Sequence, residues 1–348
     1  MVQIRRMSDT PGISCAVRIF SFIFIFLSIS YCLTPAYGKD EGRPGEEKGP
    51  TTVHMDMFVI DVGNIDGAQQ TFSAHAYLEI SWKDHRLSHK GPQSVKYSVD
   101  KIWHPDLYII NQKRIYNAPP KELTVSRDGT VLFIQDINGI FLQKLNLKSF
   151  PFDKHRFHIV FASLGHTPEE VRFENSKHPK NGIAKELSVT DWEVSSWHLG
   201  PSAYEPVPGG AKLPGFTFSF VAERNSVYYI IQIIIPLLII LMMANVAFWI
   251  ETSLAAAQIS ISTTALLTMI AYRFALNSDL PVISYLTRMD IFILGSTVLV
   301  GLALVEVIAT VRMAEKGRLE NSKAFDRKMR FIFPMTVLFL AVYAFLLY

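Results

Sequence analysis

The sequence predicts two folds joined in one chain, α+β by segment: an all-β, immunoglobulin-like sandwich followed by a four-helix transmembrane domain. Three observations predict this. From residue 51 to about 223, short segments alternate apolar and polar residues, with turn residues between them. From residue 224 onward the chain carries four apolar runs, each about the 20 residues that cross a bilayer as a helix. At 49% hydrophobic and 19% charged, the 348 residues suit a membrane protein with a substantial water-facing part.

The first 38 residues read as a secretory signal. Arg5, Arg6 and Arg18 precede the apolar run 19–29, and Ala36-Tyr37-Gly38 is a small-residue cleavage site. An uncleaved membrane anchor is the alternative. Cys15 and Cys32, the only cysteines, both fall here, so the exported chain 39–348 has none to pair. The segment also holds about two of the three net positive charges. The remainder is near neutral, which gives nucleic acid no basic surface.

The clearest strand is 72–83. Phe72, Ala74, Ala76, Leu78, Ile80 and Trp82 form one face, and Ser73, His75, Tyr77, Glu79, Ser81 and Lys83 the other. Phe157, Ile159 and Phe161 alternate in the same way, as do Phe216, Phe218, Phe220 and Ala222. Turns are expected at 64–67, Arg127-Asp128-Gly129, Asn138-Gly139, Asn181-Gly182 and Pro208-Gly209-Gly210. Many short strands at this spacing make one sandwich domain, 39–223.

The membrane domain, 224–348, has spans at about 227–250, 254–276, 285–311 and 331–348. Pro236 interrupts the first, which a membrane helix tolerates when neighbours satisfy the freed carbonyl. With the β domain outside, the segment 312–330 falls in the cytoplasm as a loop. Its Arg312, Lys316, Arg318, Lys323, Arg327, Lys328 and Arg330 against Glu315, Glu320 and Asp326 fit the positive-inside rule.

The second span differs from the others. Ser260, Thr264, Leu267, Ala271, Phe274 and Ser278 follow steps of four and three, so they share a helix face that is polar, then apolar, then polar. Such a face suits a narrow water path, in which hydroxyls replace hydration water and a Leu or Phe ring closes by dewetting. It equally suits a bundle helix whose hydroxyls bond to neighbouring helices.

Local motifs add a resemblance. Trp103-His104-Pro105-Asp106, Phe150-Pro151-Phe152-Asp153, Ser81-Trp82-Lys83-Asp84, Arg224 before the first span, Pro236 within it and Leu280-Pro281 after the second stand in the order found in pentameric ligand-gated ion channels. From about residue 51 the chain resembles a subunit of that family. Animal members close the loop around Phe150–Asp153 with a disulfide. Gln143 and Phe157 occupy those positions here, which resembles the disulfide-free prokaryotic branch.

The resemblance implies a homopentamer in the cell (inner) membrane, with its N-terminal domain periplasmic or extracellular. Ser260, Thr264, Leu267, Ala271, Phe274 and Ser278 would line the pore, with Leu267 and Phe274 as its gate. The partners would be lipid, permeant inorganic ions, and a small-molecule agonist or protons. Cations are slightly favoured over anions, although Ala255, Ala256, Ala257 and Gln258 supply no charged ring. An agonist site would draw on Tyr77, Tyr108, Tyr204 and Phe216, in the manner of an aromatic cage for ammonium groups. Ile110 and Leu164 leave that cage incomplete. All ten histidines lie in the exported domain, among them His75, His155, His158 and His166, and they offer a proton trigger. The alternative is that most are solvated strand residues, with His155 and His158 simply facing water. Coupling between domains would use Phe152, Asp153, Arg224 and Pro281, with Asp153 and Arg224 as a buried ion pair. No nucleophile elbow, glycine-rich loop or metal-ligand spacing stands out, so an enzyme, a metal centre and a cofactor are not expected. A membrane-anchored periplasmic sensory module that does not conduct is the alternative function.

Overall fold

A computed structural model describes residues 42–177, 180–276 and 283–348. The expected signal segment 1–38, and with it both cysteines, lies outside them.

Twelve strands form the N-terminal domain: β1 (Thr51–Asp66), β2 (Thr71–Lys83), β3 (Ser94–Ser98), β4 (Leu107–Ile109), β5 (Gln112–Ile115), β6 (Glu122–Ser126), β7 (Thr130–Leu142), β8 (Lys154–Ser163), β9 (Val171–Asn175), β10 (Gly182–Ile183), β11 (Trp192–Tyr204) and β12 (Leu213–Arg224). One sheet runs β10-β1-β2-β7-β6-β3, with β5 on β7 and β9 on β1. The other runs β11-β12-β8-β4. The alternation that predicts β2 holds along its length: Phe72, Ala74, Ala76, Leu78, Ile80 and Trp82 are all buried. Phe157, Phe216, Phe218 and Phe220 bury the facing side of the second sheet. The rings interlock between the layers. Phe72 lies 5.3 Å from Phe141 and 5.2 Å from Phe157, and Phe157 stacks on Phe220 at 5.0 Å. Each such pair adds about 0.5–1.5 kcal/mol beyond area burial.

The turns expected at Arg127-Asp128-Gly129 and Pro208-Gly209-Gly210 are found, the one expected at 64–67 starts only at Gly67, and Gly182 of Asn181-Gly182 instead opens β10, paired with β1. Gly129 and Gly209 have φ of 81° and 77°, the left-handed conformation that glycine adopts without strain. Asn138-Gly139, however, lies inside β7, which pairs with β2 on one side and β5 on the other. The glycine is needed for a close approach, not for a turn. A Cβ there would sit 2.6 Å from the Arg114 carbonyl oxygen and 2.5 Å from Ile115 Cδ1.

Four helices follow, each long and apolar enough to cross a membrane: α1 (Val227–Trp249), α2 (Ala255–Ala275, preceded by a 3-10 turn from Thr252), α3 (Arg288–Glu315) and α4 (Leu319–Val342, ending in a π turn to Leu347). Pro236 in α1 lacks the N–H that would bond the Gln232 carbonyl. The Tyr272 hydroxyl of α2 donates to the Gln232 and Ile233 oxygens at 3.1 and 2.9 Å, and so supplies the missing partner. Thr287 and Asp290 close a capping box at the start of α3. The segment 312–330 differs from the expected loop: apart from Lys316, Gly317 and Arg318 it is helix. Charged residues extend a helix into water as readily as apolar ones continue it in lipid. The break is at Gly317, whose φ of 77° ends α3.

Candidate functional site

The junction between the two domains is built on one ion pair. Asp153 ends the loop between β7 and β8, and Arg224 ends β12. Arg224 donates from Nε to Asp153 Oδ1 at 2.8 Å and from Nη2 to Oδ2 at 3.2 Å. The two side chains are 1% and 7% exposed, so the bidentate pair is almost dry. The Arg224 guanidinium lies 4.2 Å from the Trp192 ring centroid and 4.9 Å from that of Phe150. Burial works to raise the Asp153 carboxyl. Hydrogen bonds from His155 and Arg224 outweigh it and hold the group below the usual carboxylate range.

His155 is a member of this junction that the sequence reading missed. Its Nε2 lies 2.9 Å from Asp153 Oδ2, and its side chain is 10% exposed, so it does not face water. The available signal was its spacing: residues 153 and 155 share one face of extended chain. His158 is also partly withdrawn from solvent. Burial first, and the neighbouring Arg156 charge second, make it harder to protonate than an ordinary histidine.

The same loop touches three membrane elements. Phe150 packs edge-on to Tyr229 at the start of α1, with centroids 4.8 Å apart. The Leu147 backbone N–H donates to the Tyr285 hydroxyl, just before α3, at 2.9 Å. Phe152, 42% exposed, meets Phe345 at the end of α4 edge-on at 5.7 Å. The β1–β2 turn abuts the loop as well: a Cβ on Gly67 would sit 2.8 Å from Leu147 Cδ1. Pro281 lies outside the described residues.

No disulfide closes this loop. Gln143 and Phe157 do not pair with each other. Phe157 is in the core, while the Gln143 Oε1 accepts from the His158 N–H at 3.1 Å. Asn111 completes the closure. Its Nδ2 donates to the Leu142 and His158 carbonyls at 3.0 and 2.7 Å, and its Oδ1 accepts from the Val160 N–H at 3.1 Å. One side chain thus ties the end of β7 to the middle of β8.

Of the expected agonist-site aromatics, Tyr77 lies on the outward face of β2, in the larger sheet. Burial, and then the Glu79 charge, raise its phenol. Tyr108, 51% exposed, lies on β4, and Tyr204 ends β11. Those two strands are the opposite edges of the smaller sheet, about 14 Å apart at three strand spacings. Phe216, expected beside them, does not join them. It is fully buried, paired across strands with Phe161, because the same alternation that buries Phe218 and Phe220 turns it inward.

On α2, Ser260, Thr264, Leu267, Ala271 and Phe274 are all exposed, Leu267 at 67% and Phe274 at 71%. Gln258, Ser262, Ala265 and Met269 form the buried face. The Thr264 and Thr268 hydroxyls donate to the Ser260 and Thr264 carbonyls of their own helix at 2.8 Å each. They do not bond across to another helix of the same chain. Ser278 lies outside the described residues.

Among the described residues no group of three or more His, Cys, Asp or Glu is arranged to hold a metal ion. Residues 30–201 match the neurotransmitter-gated ion-channel ligand binding domain, and residues 233–337 match the neurotransmitter-gated ion-channel transmembrane region.

Proposed function

The chain belongs to the neurotransmitter-gated ion-channel family, and on that premise we propose that five identical copies surround one axis and conduct ions along their α2 helices. The family is one of ligand-gated channels rather than enzymes, and this member is a multi-pass membrane protein with an extracellular N-terminal domain. The observation that carries the proposal is the exposed stripe on α2. Its hydroxyls and its Leu267 and Phe274 side chains are left uncovered by the chain's own helices, although the opposite face is buried. A lipid-facing surface gains nothing from Ser260 and Thr264, whereas a water path gains replacement hydration from them. Ser260 and Thr264 line the inner pore and Ala271 the outer pore, while Leu267 and Phe274 form its dewetting gate.

Cations are the favoured permeant species. Gln258 is fully buried and gives the pore mouth no charge, while Glu251, in the turn leading into α2, is exposed and would form an acidic ring in a pentamer. The agonist site lies between copies, Tyr77 of one facing the Tyr108 and Tyr204 side of the next. With Ile110 and Leu164 in place of aromatics, that site is poorer for amines than a full cage. Protons are the competing trigger, with His155 the best-placed group. Its protonation sets a second cation against an Asp153 that already holds Arg224.

Current recorded from the expressed chain while external pH is stepped, in asymmetric salt, tests this. A current evoked by pH with a reversal potential on the cation side supports the whole reading. A reversal on the anion side overturns the selectivity alone. Silence at every pH and with every amine tried supports the non-conducting sensory module.

A further inference from the structure

At the inner end of the helix bundle, two carboxyls that pore and coupling leave unused are buried together. Glu306 on α3 is 8% exposed and Asp326 on α4 is 2% exposed; one turn further on, the Ser322 hydroxyl of α4 donates to the Thr310 carbonyl of α3 at 2.9 Å, which sets the two antiparallel stretches side by side. Among the described residues neither has a Lys, Arg or His within 4.0 Å. Asp326 Oδ2 accepts from the Thr252 hydroxyl at 2.9 Å and from Gln258 Nε2 at 3.3 Å. Asp326 Oδ1, both Glu306 oxygens and Gln258 Oε1 are buried without a hydrogen-bond donor.

No other charge compensates the pair. From α1 no charged residue is available. The only charge of α2, Arg273, is four helical turns away. On α3, Arg312 is exposed. On α4, Arg330 donates to the Phe248 carbonyl at 2.9 Å and lies over the Trp249 ring, Lys323 is 4.0 Å from Glu320, and Arg327 and Lys328 are exposed. In the turn before α2, Glu251 is exposed. Two ionised carboxylates side by side in a dry bundle, with only neutral donors near, are strongly unfavourable. One proton held between them removes one charge and turns two of the orphaned oxygens into a donor and its acceptor.

We infer that Glu306 and Asp326 form a proton-binding site on the cytosolic side, which clamps α3 and α4 to the turn that sets the base of α2. The Thr252 and Gln258 bonds are the mechanical link, since Gln258 also donates to the Ile250 carbonyl at 3.0 Å. When the proton leaves, like-charge repulsion pushes α3 and α4 apart and loosens that turn. The link to conduction rests on the channel reading, whereas the proton site itself does not.

The test uses the full-length protein in liposomes and two measurements. Infrared difference spectra taken across a pH step should show the carbonyl band of a protonated carboxyl, sensitive to deuterium exchange. That band should be lost in Glu306→Gln and kept in Glu306→Asp, which controls for misfolding. In inside-out patches, raising cytosolic pH should change wild-type current by about fivefold or more, the lower end of ordinary allosteric coupling. Glu306→Gln should abolish that dependence. Absence of the band, or its survival in Glu306→Gln, overturns the proton site. Loss of that pH dependence when sodium or calcium is withdrawn from the cytosolic solution assigns the pair to a metal cation and also overturns it. A normal band with pH-independent current overturns the coupling to α2. A normal band with no current under any condition upholds the proton site and refutes the channel reading instead.

Discussion

Replacing Asp153 by Asn keeps the side chain's shape and removes its charge. The Arg224 guanidinium then stays 7% exposed with its bidentate acceptor weakened, and the His155 ring loses its anionic neighbour. Breaking one partner of a buried pair typically costs about 3–5 kcal/mol. Arg224 keeps some compensation from the Trp192 face at 4.2 Å and from Asp191 at 3.7 Å. The lower end, about 3 kcal/mol per subunit, is therefore expected for Asp153→Asn. The pH dependence has a definite sign. The wild-type carboxyl sits below its ordinary value in the folded chain, so it contributes stability at neutral pH. That contribution disappears as pH falls through the lowered value. The variant lacks this acid limb, so the gap between wild type and variant should narrow in acid. Thermal unfolding of the purified full chain across pH measures both effects, and surface expression with agonist or pH response curves measures the functional cost. A variant within about 1 kcal/mol of wild type, as for an exposed pair, with an unchanged response curve, would refute the reasoning.

Other expectations follow from the same geometry. Leu267→Ala should produce a standing leak current, read as conductance without agonist, because it widens the apolar ring of the gate. Asn111→Ala should destabilise the exported domain by more than about 2 kcal/mol, since it strands backbone groups of β7 and β8 that it bonds; chemical denaturation followed by fluorescence checks this. Gly139→Ala should cost about 1–3 kcal/mol in the same assay, because its Cβ meets the Arg114 carbonyl oxygen at 2.6 Å.

Much of this architecture is legible in the residues because alternation and length are one-dimensional signals. The inward face of β2 and the aromatic rows of β8 and β12 follow from period two alone. The four spans follow from apolar length. What escaped depends on pairing in three dimensions. Asn138-Gly139 has the composition of a turn, yet β5 arrives on its other side and makes it strand. Phe216 satisfies the alternation that buries it, and that alternation excludes the agonist-site role implied by the family resemblance. The helical start of α4 was hidden by its charges, although Gly317 marked the true break. Asn111 and the Glu306–Asp326 pair have no local pattern that separates them from solvated residues, and His155 has only its spacing from Asp153. Only the fold brings their partners to them.

The central claim is that the exposed face of α2 borders water in the assembled protein. Single cysteines placed along residues 260–274 of the expressed chain, which supplies none of its own beyond residue 38, and treated with a charged thiol reagent during current recording test it most directly. The account predicts that cysteines replacing Ser260, Thr264, Leu267, Ala271 and Phe274 change the current on labelling. Those replacing Ser262, Ala265 and Met269 should stay silent. Labelling on the buried face, or labelling of the stripe with no effect on current, would contradict it.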